Sequence, residues 1–439
     1  MSLLAGAAVR DVTPQTPQFL VGYPHVPRIS EGVHDPLMAS SLYMREGKTA
    51  FLWIAIDIIF VSAETVGACR VDLTRITGVP EQNILISATH THSGPVTNTV
   101  LAWQNDPVVP PPDPSYMEQL RKGITESGIA AYRAAQPAKL AVTTAEANGV
   151  GGNRHDPDGA FDSEIGLIAI ESETERRLIA LSLIYGMHPT VLHEDSRLIS
   201  GDFPHFTRRY ISKTYPGAVI LYHLGPCGNL SPRYHVRGQT FEEAQRLGER
   251  LGTSILTSLH NLKDDDFCSE QHLFARRTYT DLPLNSFESI ATAQLKLDQA
   301  VERYQTLKRE GSPHGPLRTA ECDVFGREES LTLAKAQANG DLAKWQARYR
   351  SAEVQAFRLG DLFVVTWPGE QFVEYALEVK RRAGHRVFII SLANGELQGY
   401  IATSKAAEAG SYEAAFAMFK PKAGDFLVEA ALNLIKELA

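Results

Sequence analysis

The strongest constraint on this fold is the order of segments between residues 50 and 89. Residues 50–61 form an apolar, β-prone run. Residues 64–77 carry helical spacing and stop before Gly78, Val79 and Pro80, and residues 83–89 are again apolar and β-prone. A strand, a helix and a second buried strand make an α/β unit, and such units present active residues at the C-terminal ends of their strands. The second strand runs into Ala88-Thr89-His90-Thr91-His92 and breaks at Ser93-Gly94-Pro95. On an extended backbone, side chains two apart share a face, so His90 and His92 are expected to project together. Two protonated imidazoles side by side would repel each other. A bound cation would instead hold both as neutral donors, and imidazole is the commonest ligand of zinc.

The rest of the chain repeats the pattern. Residues 165–170 and 178–185 read as a β-hairpin that delivers His188 and Pro189, and residues 218–224 read as a strand leading into Gly225-Pro226-Cys227-Gly228-Asn229-Leu230-Ser231-Pro232. Eight of the fourteen histidines lie between His90 and His235, several where a strand gives way to a Gly/Pro loop. Core histidines have no reason to favour strand exits, so the pattern points to metal binding. The turn Gly149 to Arg154 lacks the spacing of a phosphate loop and presents Asn153 and Arg154. Further strands are expected at 5–12, 37–45, 140–147, 354–359, 362–367 and 386–392. Helices are expected at 116–133, from 206 to 214, and at 242–262, 372–383 and 424–437, with a loop over 22–25. Glu370 follows an apolar strand, as the histidines do. Residues 263–350 read as a helical insertion of two antiparallel helices, 289–309 and 329–350. Their charged faces suit a lid, a homo-oligomer contact or, most simply, solvent.

Composition narrows the function. The chain has 439 residues, 44% of them apolar and 21% charged, as in ordinary globular proteins. A net charge of −8 without a dense Lys/Arg tract argues against a nucleic-acid surface. The N-terminus lacks the basic and long apolar regions of a secretory signal, and residues 51–63 are too short to span a bilayer and carry Asp57. Cys69, Cys227, Cys268 and Cys322 show no CxxC spacing, which fits a reducing, cytoplasmic setting. Any metal must therefore rely on His, carboxylate and phenolate. From the residues alone, His90, His92 and His188 are a natural three-histidine ligand set.

Several motifs carry a resemblance that spans the chain nearly end to end. They are AGAAVRDVTP at the start, SATHTHSGP at 87–95, GGNR at 151–154, MHPT at 187–190, SGDFP at 200–204, GNLSP at 228–232, PGE at 368–370 and YIAT…SYE at 400–413. In these the chain resembles the neutral/alkaline ceramidases and their shorter bacterial relatives, zinc-dependent amidohydrolases. The resemblance implies an α/β fold, a mixed β-sheet core with flanking helices, as one catalytic domain over 1–439. It implies a Zn2+ held by His90, His188, Glu370 and Tyr400. His92 then becomes the acid/base group beside the metal, and Arg154 and Tyr412 contact the substrate and the developing oxyanion. Two departures stand out. Asn229 replaces the family's Asp, and the chain stops soon after the tyrosine motif, where the family has an immunoglobulin-like domain.

The chemistry so implied is attack of a zinc-bound water on an amide carbonyl, with proton transfer through His92 to the leaving amine. The substrate is expected to be a small-molecule N-acyl compound, smaller or more soluble than ceramide. Asp202 is a candidate to orient a histidine. Ser231 as a covalent nucleophile is the weaker reading, since its setting is not a nucleophile elbow. Two other readings stay open: an esterase or hydrolase of an acylated or modified sugar using the same site, and a non-catalytic metal-binding protein.

Overall fold

The strand at Thr49–Ile56 shows how the layers are built. Its Leu52, Ile54 and Ile56 enter one buried cluster, while Phe51, Trp53 and Ala55 enter another. Successive side chains point to opposite faces, so a strand covered on both sides reads as an unbroken apolar run. The computed structural model describes every residue except Met1 and Pro24. The loop expected over 22–25 includes Pro24 and lies to that extent outside the described residues.

Eight strands form the larger sheet: β1 (Leu4–Asp11), β2 (Met38–Glu46), β3 (Thr49–Ile56), β4 (Ile84–Ala88), β5 (Gln136–Glu146), β6 (Glu164–Ser172), β7 (Leu178–Tyr185) and β8 (Val219–Leu224). Their spatial order is β8-β7-β6-β5-β1-β2-β3-β4. The pairs β3/β4 and β7/β8 are parallel and the others antiparallel, giving the expected mixed sheet. A second sheet has the order β9 (Phe274–Asp281), β10 (Ser351–Leu359), β11 (Leu362–Thr366) and β12 (Arg386–Ile390), with β11/β12 parallel. The sheets pack face to face through Trp53, Ile168, Phe357, Val364 and Phe388. The other face of the first sheet is covered by α1 (Ala63–Thr77), α2 (Pro114–Arg133), α3 (Asp202–Thr214) and α4 (Phe241–His260). The outer face of the second sheet is covered by α8 (Val373–Arg382) and α11 (Ala423–Leu438). The layers therefore run helix, sheet, sheet, helix. Truncating a side chain such as Trp53, fully buried between the sheets, would cost about 3–5 kcal/mol.

Four expectations need correction. β3 ends at Ile56, not 61, because the Asp57 carboxylate turns inward to a buried pair with Arg208, 2.8 Å from its Nη1, and accepts the Met38 amide at 2.9 Å. α3 begins at Asp202, not 206, despite a proline inside its first turn, where a missing N–H is harmless. β5 begins at Gln136, not 140, since Pro137 sits at the strand's start. Residues 263–350 are not two helices. They contain β9, which pairs along its whole length with β10, then α5 (Ile290–Arg309), α6 (His314–Ala338) and α7 (Asp341–Tyr349). α6 and α7 are separated at Gly340, whose φ of 84° a helix cannot continue. Two short helices follow near the C-terminus, α9 (Ser404–Glu408) and α10 (Tyr412–Ala415).

Candidate metal centre and cleft

Strand ends bring the candidate residues together. His90 follows β4, His188 follows β7 and Glu370 follows β11. Tyr400 pairs beside Glu370 in a short parallel bridge (Glu370 with Tyr400, Gln371 with Ile401). The convergence of His90 and His92 has a different cause from the expected one. β4 ends at Ala88, and His90 adopts a left-handed φ of 69°, a conformation rare outside glycine and asparagine. The rings meet through this turn, not through strand alternation. Their centroids lie 4.8 Å apart and the planes are perpendicular.

Each of the three imidazoles is fixed by a backbone carbonyl. Nδ1 of His90 lies 2.9 Å from the Ile59 oxygen, Nδ1 of His92 lies 3.1 Å from the Gly22 oxygen, and Nδ1 of His188 lies 2.8 Å from the Cys227 oxygen. A carbonyl only accepts, so each Nδ1 carries a proton and each neutral ring offers its Nε2 lone pair. These lone pairs converge. His90 and His92 Nε2 are 3.3 Å apart, and Oε2 of Glu370 lies 3.2 Å from His90 Nε2 and 3.1 Å from His188 Nε2. Four acceptors facing one point repel unless a cation sits among them, so the residues fit a metal ion. Ligand atoms of His90, His92 and His188 all lie within 4.8 Å of one another. Burial keeps the donors in their ligating forms. It lowers His188 to about 4, and it lowers His92 well below the usual histidine value, aided by the neighbouring imidazoles. His90 and His188 are 1% exposed, whereas His92 is half-buried and reaches further into the cleft.

Beside this centre, the hydroxyls of Tyr400 and Tyr412 lie 3.0 Å apart. Arg154 sits over both rings at 5.4 Å. Its Nε donates to Glu413 Oε1 at 2.8 Å and its Nη2 to the Gly228 oxygen at 2.6 Å. Glu413 is fully buried and also takes His155 at 2.8 Å. Glu413 was missed in the sequence, although it stands next to Tyr412 in the SYE motif. Its only signal was a carboxylate following a candidate site residue.

Asp202 does not orient a histidine. Its Oδ2 accepts the amides of Val191 and Leu192 at 3.1 and 2.9 Å, so it holds the loop that follows His188. The imidazoles are positioned by carbonyls instead, which no side-chain motif could reveal. Ser231 is buried and its Oγ accepts the Arg233 amide at 3.3 Å. The Asn229 carbonyl oxygen of the side chain accepts the Val373 amide at 2.9 Å, and its amide donates to Glu374 at 2.9 Å. Asn229 thus satisfies the first amide of α8, the helix that follows Glu370 in the chain.

The centre opens into a cleft of about 1310 Å3, counting space open to solvent. Its apolar walls include Phe60, Trp103, Phe325 and Phe416. α6 lays one face over it, with Arg318, Cys322, Phe325 and Glu329 at helical spacing. No helix among the described residues is long and apolar enough to cross a membrane.

Residues 3–208 match the model of the N-terminal part of the neutral/alkaline non-lysosomal ceramidases. Neutral ceramidase A of Dictyostelium discoideum is 25% identical over 276 residues, 56% of this chain. That match spans 38% of the relative's length. Among solved structures, a ceramidase complexed with C2 superposes with a TM-score of 0.77 at 16% identity, covering 100% of this chain and 75% of the other. The neutral ceramidase of Pseudomonas aeruginosa gives 0.77 at 17% identity, covering 100% and 74%. At these identities the structures establish a shared fold.

Proposed function

We propose that this ceramidase-like chain is a zinc-dependent amidohydrolase that cleaves an N-acyl amide bond. The observation that carries the reading is the convergence of neutral Nε2 atoms and the Glu370 carboxylate on one point beside a cleft. His90, His188, Glu370 and Tyr400 are taken as the ligands. His90 and His188 place buried Nε2 donors 3.2 and 3.1 Å from Glu370 Oε2, and Tyr400 adjoins Glu370 in the backbone pairing. An imidazole, carboxylate and phenolate set with no thiolate suits zinc. When bound, zinc supplies an activated water and polarises the substrate carbonyl.

The other steps belong to side chains. His92, half-buried and held at Nδ1 by Gly22, presents Nε2 to the cleft. It takes a proton from the attacking water and returns it to the amine nitrogen as the C–N bond breaks. Tyr412 and Arg154 face the position where the carbonyl oxygen gains charge. Glu413 holds the guanidinium there.

The test is the metal content of the purified protein, read with hydrolysis of soluble N-acyl amines and their matched esters, with and without a chelator. About one zinc per chain and chelator-sensitive amide cleavage support the reading. Ester cleavage alone would transfer the site to the esterase chemistry, and zinc without any turnover would leave only a metal-binding protein.

A further inference from the structure

One guanidinium in the cleft has no carboxylate partner. Arg154 is paired with Glu413, and Arg318 with Glu194 and Glu321. Arg233 makes no ion pair among the described residues. Its Nη1 donates to the Arg154 carbonyl at 3.4 Å and to the Thr319 hydroxyl at 3.2 Å, and its Nη2 lies 3.7 Å from the Cys322 sulfur. All its partners are neutral, and it is half-buried in the cleft wall under α6. The three carboxyls of the cleft are engaged elsewhere: Glu370 lies against His90 and His188, Glu329 accepts the Trp103 indole, and Glu396 accepts the Ala63 amide and the Tyr349 hydroxyl. Burial raises Glu329 to about 8, where the Trp103 indole donates to one oxygen and the other has no partner. Burial raises Glu396 as well. A half-buried guanidinium in a cleft wall, hydrogen-bonded only to neutral groups, can take an anion as its partner.

Resting on the amidohydrolase reading, we propose that Arg233 determines specificity by pairing with a carboxylate on the substrate, so that the substrate class is the N-acylated amino acids. One unbalanced cation matches one negative charge. A phosphate dianion would call for a second free guanidinium, and Arg154 and Arg318 are both committed. The apolar walls of Phe60, Trp103, Phe325 and Phe416 accommodate an acyl chain, and the carboxylate lies toward Ser231 and Arg233. This gives α6 a role: its Thr319 and Cys322 hold the guanidinium from above.

The experiment compares N-octanoylglycine with N-octanoylglycinamide on the metal-loaded enzyme, and measures binding of both to chelator-treated protein by calorimetry. A hydrogen-bonded charge left unpaired in a binding site is worth about 10–100-fold. The acid is expected to exceed the amide by roughly that factor in kcat/KM, mostly through KM, and in affinity. Arg233→Gln is expected to bring the ratio toward one, while Arg233→Lys keeps part of it. The wild-type comparison stands even if a variant fails to fold. Equal use and equal binding of acid and amide by the wild type would overturn the inference while leaving the amidohydrolase reading intact. If no amide is cleaved, that reading falls, and calorimetry alone decides: Arg233-dependent binding of the acid sustains the carboxylate site, and its absence overturns it.

Discussion

The Nε of Arg154 donates to Glu413 Oε1 at 2.8 Å, with both side chains buried beside the tyrosine pair. Neither would be tolerated there alone. Removing one partner of a buried pair costs about 3–5 kcal/mol because the other charge is left unpaired. Glu413→Gln should therefore lower the thermal midpoint and, by freeing Arg154, reduce kcat more than it raises KM. Unchanged kcat in a stable Glu413→Gln protein would detach this pair from the chemistry.

The same pair makes acid stability predictable. Burial raises the Glu413 carboxyl, but Arg154 and His155 outweigh it and bring it from 4.5 to about 2. A depressed folded pKa contributes stability above the unfolded value and loses it as pH falls. The contribution should be full above about pH 4.5 and decline toward pH 2, on the order of a few kcal/mol in total. Denaturant titrations of wild type and Glu413→Gln across this window should converge as the pH drops.

Metal analysis separates the roles of the histidines. His90→Ala and His188→Ala should each lose bound zinc, measured by elemental analysis of purified protein. His92→Ala should keep zinc and lose at least about 100-fold in kcat, the usual share of a positioned acid/base group. Loss of zinc from His92→Ala would make the three histidines the ligand set.

Gly22 is a backbone requirement of the acid/base group. It has a φ of 122°, and a Cβ there would lie 2.4 Å from His92 Nδ1. Gly22→Ala should displace the imidazole and lower kcat about 10-fold or more, with metal content kept near one per chain.

Asn229 is matched to Glu374. Its amide donates to that carboxylate, which an aspartate could not do. Asn229→Asp should destabilise the protein by about 1–3 kcal/mol. Adding Glu374→Gln should recover part of the loss in a double-mutant cycle, since a carboxylate would again find a donor.

Much of this architecture was readable because apolar runs and turn residues are local signals. The unit β3-α1-β4, the hairpin β6/β7 and the strand exits before His188 and Glu370 all follow from residues adjacent in the chain. What was not readable depends on distant partners. β9 is mostly half-exposed and polar, and it is a strand because β10 pairs with it along its length. The carbonyls that fix the three imidazoles leave no trace in side-chain identity. The left-handed turn at His90 is imposed by contacts of its amide and ring with Ile58 and Ile59, not by a glycine. Arg154 was found and Glu413 was not, although each explains the other.

The residues of the centre and of the pair beside it are scattered, with His188 and Glu370 separated by 182 positions and Arg154 and Glu413 by 259. Contacts this distant form late, because loop-closure entropy is lost before they return any stabilisation. On the proposed ligand set, no segment that lacks Glu370 and Tyr400 holds the whole site. On that ligand set, capture of the metal would be a clock for folding: tight uptake would mark the moment when the two sheets have docked and the last half of the chain has arrived.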